Sequence, residues 1–375
     1  MSNSGMTLQQ ISQIRNQLRC LGAQPAHEQR ILRLWSQAKP QNSGSRPLES
    51  FMPSALRQAL PQLSETLSNL LRLQSSHPAE DGSVRWLLAL QDGQTVETVG
   101  LPRDGVCVSS QVGCAVGCVF CLTGKDGLIR QVGSAEMVAQ VAFARQHRPV
   151  KKVVFMGMGE PAHNLDNVLE AIEVLGTLGN IGHKSLVFST VGDARVFERL
   201  PLGLVKPAMA LSLHSTRADL RAQLLPRAPK FSPEDLVEAA EIYAQQTGYP
   251  IQYQWTLIQG VNDTEEEIEG IVRLLKGKYA LMNMIPYNAV DDLPFKRPTW
   301  ERAAEIARTL HRRGILTKLR NSAGQDVEGG CGQLRARHLQ GSSRPEQRNS
   351  SHAIKPQQAV EVPLHFVKAK PATFL

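Results

Sequence analysis

Three cysteines lie within eight residues in the stretch Cys114-Ala-Val-Gly-Cys118-Val-Phe-Cys121, and no other feature restricts so strongly what this chain can become. Ionised thiols packed this closely repel one another and need a cation between them. Soft sulfur ligands select zinc, copper(I) or an iron-sulfur cluster. Gly113 and Gly117 flank the thiols and let the loop curl. Structural zinc sites usually draw on two separated ligand pairs, and the sequence has no second pair. The run therefore favours an iron-sulfur cluster, with zinc and a borrowed fourth ligand as the alternative. Three ligands leave one coordination position open.

The other cysteines, Cys20, Cys107 and Cys331, are too unevenly placed for a secreted disulfide framework. The N-terminus lacks the basic and then apolar layout of a secretory signal. No apolar run reaches the roughly 20 residues that cross a bilayer, so a cytoplasmic protein without a membrane partner is expected. The 375 residues suit one large domain with an appendage, or two domains. Lys and Arg number 42 against 34 Asp and Glu, a formal charge of +8, which shifts the balance toward a polyanion such as RNA.

From about Thr7 to Leu73, apolar residues recur at three- and four-residue intervals, notably over 8–21 and 27–38, and predict helices around a loop at 40–47. The runs 83–90 and 95–101 flank Asp92-Gly93 and predict a β-hairpin. From Val106 onward, strand candidates at 107–110, 153–158, 186–190, 209–213, 251–258, 281–286 and 316–319 alternate with amphipathic helices. Helix starts are signalled by Ser134 with Glu136, by Ser232-Pro-Glu-Asp235 and by Asp263-Thr-Glu-Glu-Glu267. This pattern predicts an α/β fold with a parallel sheet. We expect a partial (β/α)6-type barrel (104–336) after a small helical N-terminal domain that could bind RNA (1–80) and a β-hairpin connector (81–103), with a flexible basic tail (337–375). Parallel barrels carry their chemistry at the C-terminal strand ends. Those ends hold the cysteine loop, Gly157-Met-Gly159-Glu160, Ser189-Thr-Val-Gly192, Ser212-Leu213-His214, Asn262-Asp263 and Pro286-Tyr-Asn288, which should share one mouth.

The C-x-x-x-C-x-x-C run after a first barrel strand, with Gly-Glu-Pro161 ending the second, resembles the radical S-adenosylmethionine superfamily. Cys107-Val-Ser-Ser-Gln-Val-Gly-Cys114, Thr123-Gly-Lys-Asp-Gly127, Gly157-Met-Gly-Glu-Pro161, Ser212-Leu-His214 and Gly330-Cys-Gly-Gln-Leu334 are similar to the RlmN/Cfr type of RNA methyltransferase, over about residues 10–335. The resemblance implies one [4Fe-4S] cluster on Cys114, Cys118 and Cys121, and two S-adenosylmethionine molecules per turnover. It implies methylation of C2 of an adenosine in large-subunit ribosomal RNA, with transfer RNA as a second substrate, by a monomer reduced by flavodoxin or ferredoxin. Ring carbon C2 lies between two nitrogens and is electron-poor, so an electrophilic methyl cannot be delivered to it by simple displacement, and a radical route is needed.

In that family the cysteine matching Cys331 is first methylated on sulfur, and its methyl, after loss of a hydrogen atom, adds to the adenine. The cysteine matching Cys107 resolves the enzyme-RNA adduct, leaving a Cys107–Cys331 disulfide, and Glu97 matches the proton acceptor. Gly159 and Glu160 match the site of the amino end of S-adenosylmethionine. Ser189, Ser212, Leu213 and His214 match its ribose and carboxylate region, and Asn288 its adenine end. Taken singly, Cys107 reads as a small buried hydrophobe, Glu97 as a solvated charge, Ser189 and Ser212 as strand ends and His214 as a core histidine. Leu122, Ala162-His163, Tyr287-Asn-Ala289 and Gly329-Gly330 depart from the common family pattern. None removes a catalytic group, and they bear on the choice of RNA. The alternatives are C8 or other-RNA methylation by the same chemistry, a non-catalytic zinc-stabilised RNA-binding protein, and a radical enzyme that activates a protein.

Overall fold

The structure, a computed structural model, describes residues 8–289, 293–323 and 332–339. Helices α1 (Ile11–Cys20), α2 (Pro25–Ser36) and α3 (Ser54–Ser68) open the chain. Ile11, Ile14 and Leu18 form one buried stripe of α1, as their spacing requires. Pro25 opens α2 at a position where its missing N–H costs nothing. Between α2 and α3 lies the expected loop, held by the Arg30 guanidinium, which donates to the carbonyls of Gln41 and Ser43 at 2.8 and 2.7 Å.

The helical segment is shorter than expected. Residues Leu71–Pro78, within the stretch assigned to a helical domain, form strand β1, antiparallel to β2 (Val84–Leu90). Its first residues alternate apolar and polar, but its partner lies a turn further on, beyond the reach of a local helix reading. The hairpin of β2 with β3 (Thr95–Leu101) forms where Asp92-Gly93 placed it, with Gly93 at φ +82°.

Strand β3 then pairs antiparallel with β4 (Gly105–Cys107), so the hairpin extends the barrel sheet directly. Strands β5 (Gln111–Gly113) and β6 (Leu128–Gln131) form a separate two-stranded ribbon around the cysteine loop. The sheet continues in parallel from β4 through β7 (Lys152–Phe155), β8 (Leu186–Thr190), β9 (Ala208–Ser212), β10 (Ile251–Leu257) and β11 (Ala280–Pro286) to β12 (Thr317–Leu319). The ten strands lie in the order β1-β2-β3-β4-β7-β8-β9-β10-β11-β12, and among the described residues no pairing joins β12 to the other edge. The barrel is therefore partial: the sheet ends at β12 on one side, and on the other β4 is continued by β3, β2 and β1.

Helices α4 (Ser134–His147), α5 (Leu165–Thr177), α6 (Ala194–Arg199), α7 (Ala218–Leu224), α8 (Pro233–Thr247), α9 (Glu265–Leu275) and α10 (Trp300–Arg312) connect the strands, and α11 (Gln333–Leu339) follows them. Ser232 and Thr264 cap α8 and α9 by accepting from the backbone N–H groups of Asp235 and Glu267, as the start signals predict. Alternation along the strands sorts the two faces. Phe155, Phe188, Leu211, Trp255, Met282 and Met284 join the large core beneath the helices, each contributing about 1.5–3 kcal/mol by burial. Facing inward are Cys107, Val154, Val187, Ala208 and Ala210, which pack with Leu101, Met156 and Tyr249 into a second, smaller apolar cluster. Among the described residues no helix is long and apolar enough to cross a membrane. Cys331 and the tail beyond Leu339 lie outside the described residues.

Candidate active site

The cysteine loop sits at the C-terminal end of the barrel because β5 and β6 clamp its base. The Cys114 N–H donates to the Gly127 carbonyl at 2.9 Å, and the Cys121 N–H turns back to the Cys118 carbonyl at 3.0 Å. Gly113 is at φ +78°, and a Cβ there would lie 2.0 Å from the Gly127 carbonyl oxygen, so only glycine fits. Gly117 and Gly124 likewise stack too closely for a side chain on Gly124. Val116, Val191, Leu224, Leu225, Ile258 and Tyr287 sheathe the loop in apolar surface. Burial raises the Cys114 thiol to about 11, with the charges of Glu160 and Cys121 adding to the rise. It raises Cys118 well above its usual value, helped by repulsion from Cys121 and Cys114, and it raises Cys121. Unaided, these sulfurs stay protonated. A cationic centre between them would ionise all three.

The ends of β7, β8, β9 and β11 meet this loop around one cavity of about 300 Å³, lined by the three cysteines together with Gly159, Glu160, Ser189, Ser212, His214 and Asn288. Leu213 is fully buried in the outer core instead, and its side chain takes no part in the lining. Glu160 is buried. Its carboxylate accepts from the N–H groups of Ala162 at 3.1 Å and Val191 at 3.0 Å, and no cation within 4 Å pairs with it among the described residues. Burial lifts its pKa to about 7.

His214, at φ +59°, is buried, with burial lowering its pKa to about 3, so the ring is neutral. Its Nδ1 accepts from the Thr256 N–H at 3.0 Å, which assigns the proton to Nε2 and makes that edge a donor. The Phe120 ring stands edge-on at 4.9 Å.

One glycine serves a different purpose from the close ligand approach that its motif suggests. Gly159 is at φ +103°, and a Cβ there would lie 2.5 Å from Cβ of Gln111, whose Oε1 accepts the Glu160 N–H at 2.8 Å. Its bare backbone seats the β5 edge, and through it Glu160. Gly159→Ala should displace Glu160, lower stability by about 1–3 kcal/mol, and weaken S-adenosylmethionine binding at least about tenfold, as read by calorimetry. Arg221, which sequence reasoning missed, is buried with its guanidinium on the carbonyls of Val191 and Ser212. It ties the ends of β8 and β9 and places a charge near Cys118 and Glu160.

Glu97 and Cys107 lie apart from this lining, on β3 and β4. Glu97 is almost fully buried, against the expectation for a single glutamate on a hairpin. Arg85 donates to its Oε2 at 3.1 Å, and the Arg335 N–H to its Oε1 at 3.0 Å. Burial raises its pKa, opposed by Arg85 and by the backbone N–H groups of Arg335, Gly332 and Leu334. The residue following Cys331 is thus bonded to Glu97. Gly332 also packs on Thr123 of the cysteine loop. A buried network holds Glu97 in place: Ser109 Oγ donates to its carbonyl at 2.6 Å, and Gln140 accepts from Thr98 and from the Ser109 N–H, each at 2.8 Å. Half-buried Cys107 faces the interior, its thiol pushed up to about 12 by burial, with Arg85 and Glu97 near enough to shift it in opposite directions.

Residues 108–275 match the family model described as the radical SAM superfamily. The chain is 71% identical over 331 residues to a probable RNA methyltransferase of Leptothrix cholodnii, covering 88% of this chain and 95% of that protein. It is 70% identical to one of Methylibium petroleiphilum, covering 88% and 94%. The chain belongs to the radical SAM superfamily. A solved radical SAM methyltransferase from Sphaerobacter thermophilus superposes with a TM-score of 0.74 at 32% identity, over 88% of this chain and 99% of that one.

Membership implies a [4Fe-4S] cluster and S-adenosylmethionine, and the residues fit both. The three thiols, Cys114 buried and Cys118 and Cys121 half-buried, repel one another when ionised and need a cationic centre. Among the described residues no three His, Cys, Asp or Glu side chains converge on a single metal-ion position. A cluster does not require this, because each iron takes its own thiolate. Beside the thiols, the buried Glu160 carboxylate has no cation within 4 Å among the described residues, as the receptor of an ammonium group should.

Proposed function

We propose that this radical SAM protein is an RNA methyltransferase that places a methyl group on C2 of an adenosine in large-subunit ribosomal RNA through S-methylation of Cys331. The observation that carries the reading is the single cavity in which the three-thiol loop meets Glu160 and His214, with Glu97 bonded to the backbone beside Cys331. The relatives named probable RNA methyltransferase and the +8 charge support RNA as the substrate.

Cys114, Cys118 and Cys121 would hold one cluster, and the cavity would take S-adenosylmethionine, two per turnover. When bound, these supply an electron, a methyl group and a radical strong enough to take hydrogen from a methyl. Glu160, seated by Gly159, receives the amino group of the cofactor. Ser189, Ser212 and the Nε2–H of His214 face its carboxylate and ribose, with Asn288 at the adenine end and Leu213 holding the strand end in register. Cys331 carries the methyl to the base. Glu97 accepts the adenine proton. Cys107 resolves the adduct, and since burial keeps its thiol protonated, it reacts only when a neighbouring base takes that proton. The Cys107–Cys331 disulfide is then reduced. The enzyme works as a monomer, with flavodoxin or ferredoxin as electron donor.

Mass spectrometry of RNA from cells with and without the protein tests this. One adenosine of large-subunit ribosomal RNA should lose a C2 methyl in its absence. Loss at C8 or from transfer RNA would move the target, and unchanged RNA would defeat the reading. The cofactor assignment predicts a pH profile. The Glu160 carboxyl must ionise, with a pKa of about 7, while the ligand's α-amino group must stay protonated, with a pKa of about 8. Affinity for S-adenosylmethionine should peak between these values and fall up to about tenfold per pH unit on the acid side. A flat calorimetric profile from pH 5.5 to 8 would remove Glu160 from the site.

A further inference from the structure

Two arginines of one short segment lie against the cysteine loop, one buried beneath it and one on its outer surface. The segment, 218–228, is helix α7 with the strap that follows it. The Val119 N–H donates to the Leu224 carbonyl at 3.1 Å, and the Arg227 N–H to the Val116 carbonyl at 3.3 Å. Leu220, Leu224, Leu225 and Ala228 pack among Val116, Cys118, Val119 and Phe120. Pro226 and Pro229 bracket Arg227 and restrict the backbone on both sides of it. Backbone bonds and apolar contact thus join the segment to the loop on either side of Gly117.

The guanidinium of Arg227 lies over Gly117, the residue before Cys118. Gly117 is at φ +66°, and a Cβ there would lie 3.0 Å from Nη2, 3.4 Å from Cζ and 3.5 Å from Nε of Arg227, so the guanidinium occupies the space where a side chain would stand. The rest of Arg227 is exposed. Arg221 is 3% exposed. Its Nη2 donates to the carbonyls of Val191 and Ser212, two residues that line the cavity, while its buried Nε has no hydrogen-bond partner. Arg221 itself does not line the cavity, so its charge reaches the site as a field and not by contact. Among the described residues neither arginine has a carboxylate within 4 Å. For Arg221 this is costly, because a buried charge needs an opposite one to face it. Burial lowers its pKa to about 10, opposed by the charges of Cys118 and Glu160. Once Glu160 receives the cofactor's amino group, the ionised sulfurs of the loop are the counter-charge left to Arg221.

We propose that Arg221 and Arg227 act through the cysteine loop, setting how readily a cluster held by Cys114, Cys118 and Cys121 accepts its electron. The proposal rests on the cluster that superfamily membership implies and does not depend on which RNA is methylated. Reduction moves one electron from an external low-potential donor of the flavodoxin or ferredoxin class, which is oxidised, to a centre already held by three anionic thiolates. No proton or leaving group accompanies the electron, so fixed positive charge nearby favours the reduced form and raises the potential. Arg221 acts through a buried medium that screens little, and Arg227 through a surface that salt can screen. Gly117 serves the same end, since its bare backbone admits the Arg227 guanidinium.

Anaerobic redox titration of the iron-loaded holoenzyme, followed by the visible absorption of the cluster, tests this. Arg221→Gln should lower the equilibrium constant for reduction by about tenfold, which is about 59 mV for one electron. Arg227→Gln should lower it by about two- to threefold, and Arg227→Glu should double that shift on the logarithmic scale. In about 1 M salt the Arg227 shift should vanish and the Arg221 shift persist. Arg221→Lys keeps the charge but loses the planar fork, and it should stay within about twofold of wild type. Exposed Arg312, at the end of α10 beside the start of β12, should have no effect when replaced by Gln. If Arg221→Gln fails to fold, the Arg227 variants, altered at an exposed position, carry the test. Equal shifts in Arg221→Lys and Arg221→Gln would make Arg221 a structural tie and overturn its part. Unaltered potentials in iron-loaded Arg227→Gln and Arg227→Glu would overturn the part of Arg227. A wild type that binds no iron would overturn the cluster, and the proposal with it.

Discussion

Cys118→Ser should yield a folded protein that has lost its iron and its activity. An iron-loaded wild type should carry about four irons and as many sulfides per chain. The variant, with a poorly ionising hydroxyl in an apolar setting, should hold close to none, and turnover should fall by at least about a thousandfold. The loop's position does not depend on the thiol. It is held by the β5–β6 ribbon, by the contact of Gly117 with Gly124 and by Val116 and Phe120 in the apolar sheath. The melting temperature of the iron-free forms should therefore differ little between wild type and variant. One zinc per chain without sulfide in the wild type would show that the loop serves a different purpose.

The cysteine spacing was legible because the chemistry it serves is local, with the loop, its glycines and its ligands all within about a dozen residues. The parallel strands were legible too: 186–190 is the observed β8, and the others shift by one to three residues. Buried strands between helices carry a strong apolar signal. What escaped notice depends on distant partners. Strand β1 exists because β2 lies beside it, and β5 and β6, three and four residues long, exist because the cysteine loop closes on itself. Buried arginines give no local sign. Arg221 looks like the polar face of a short helix, and Arg85 like the outward position of a strand. Both lie under the site because a carbonyl pair or a carboxylate elsewhere in the chain receives them. Gly159 was legible as a glycine that matters, but the demand on it comes from Gln111.

Glu97→Gln should trap RNA on the enzyme. Two functions are open to this carboxylate, and the structure gives it means for both. As an anchor, it receives the first N–H groups of α11 and so holds the segment that begins at Cys331. As a base, it sits where burial favours the proton while Arg85 and those N–H groups oppose it, leaving it able to take a proton and later to release it. Glutamine keeps one oxygen for the backbone N–H groups and loses the negative charge facing Arg85. Stability should fall by about 1–3 kcal/mol, and the segment should stay docked. Proton removal has no substitute, so product formation should fall by about a hundred- to ten-thousandfold while a Cys331-linked RNA species accumulates on denaturing gels. If Glu97 were an anchor alone, no such species would form and S-methylation of Cys331, read by peptide mass spectrometry, would fall with turnover. Methylated Cys331 with a persistent RNA adduct separates the lost proton acceptor from a displaced thiol.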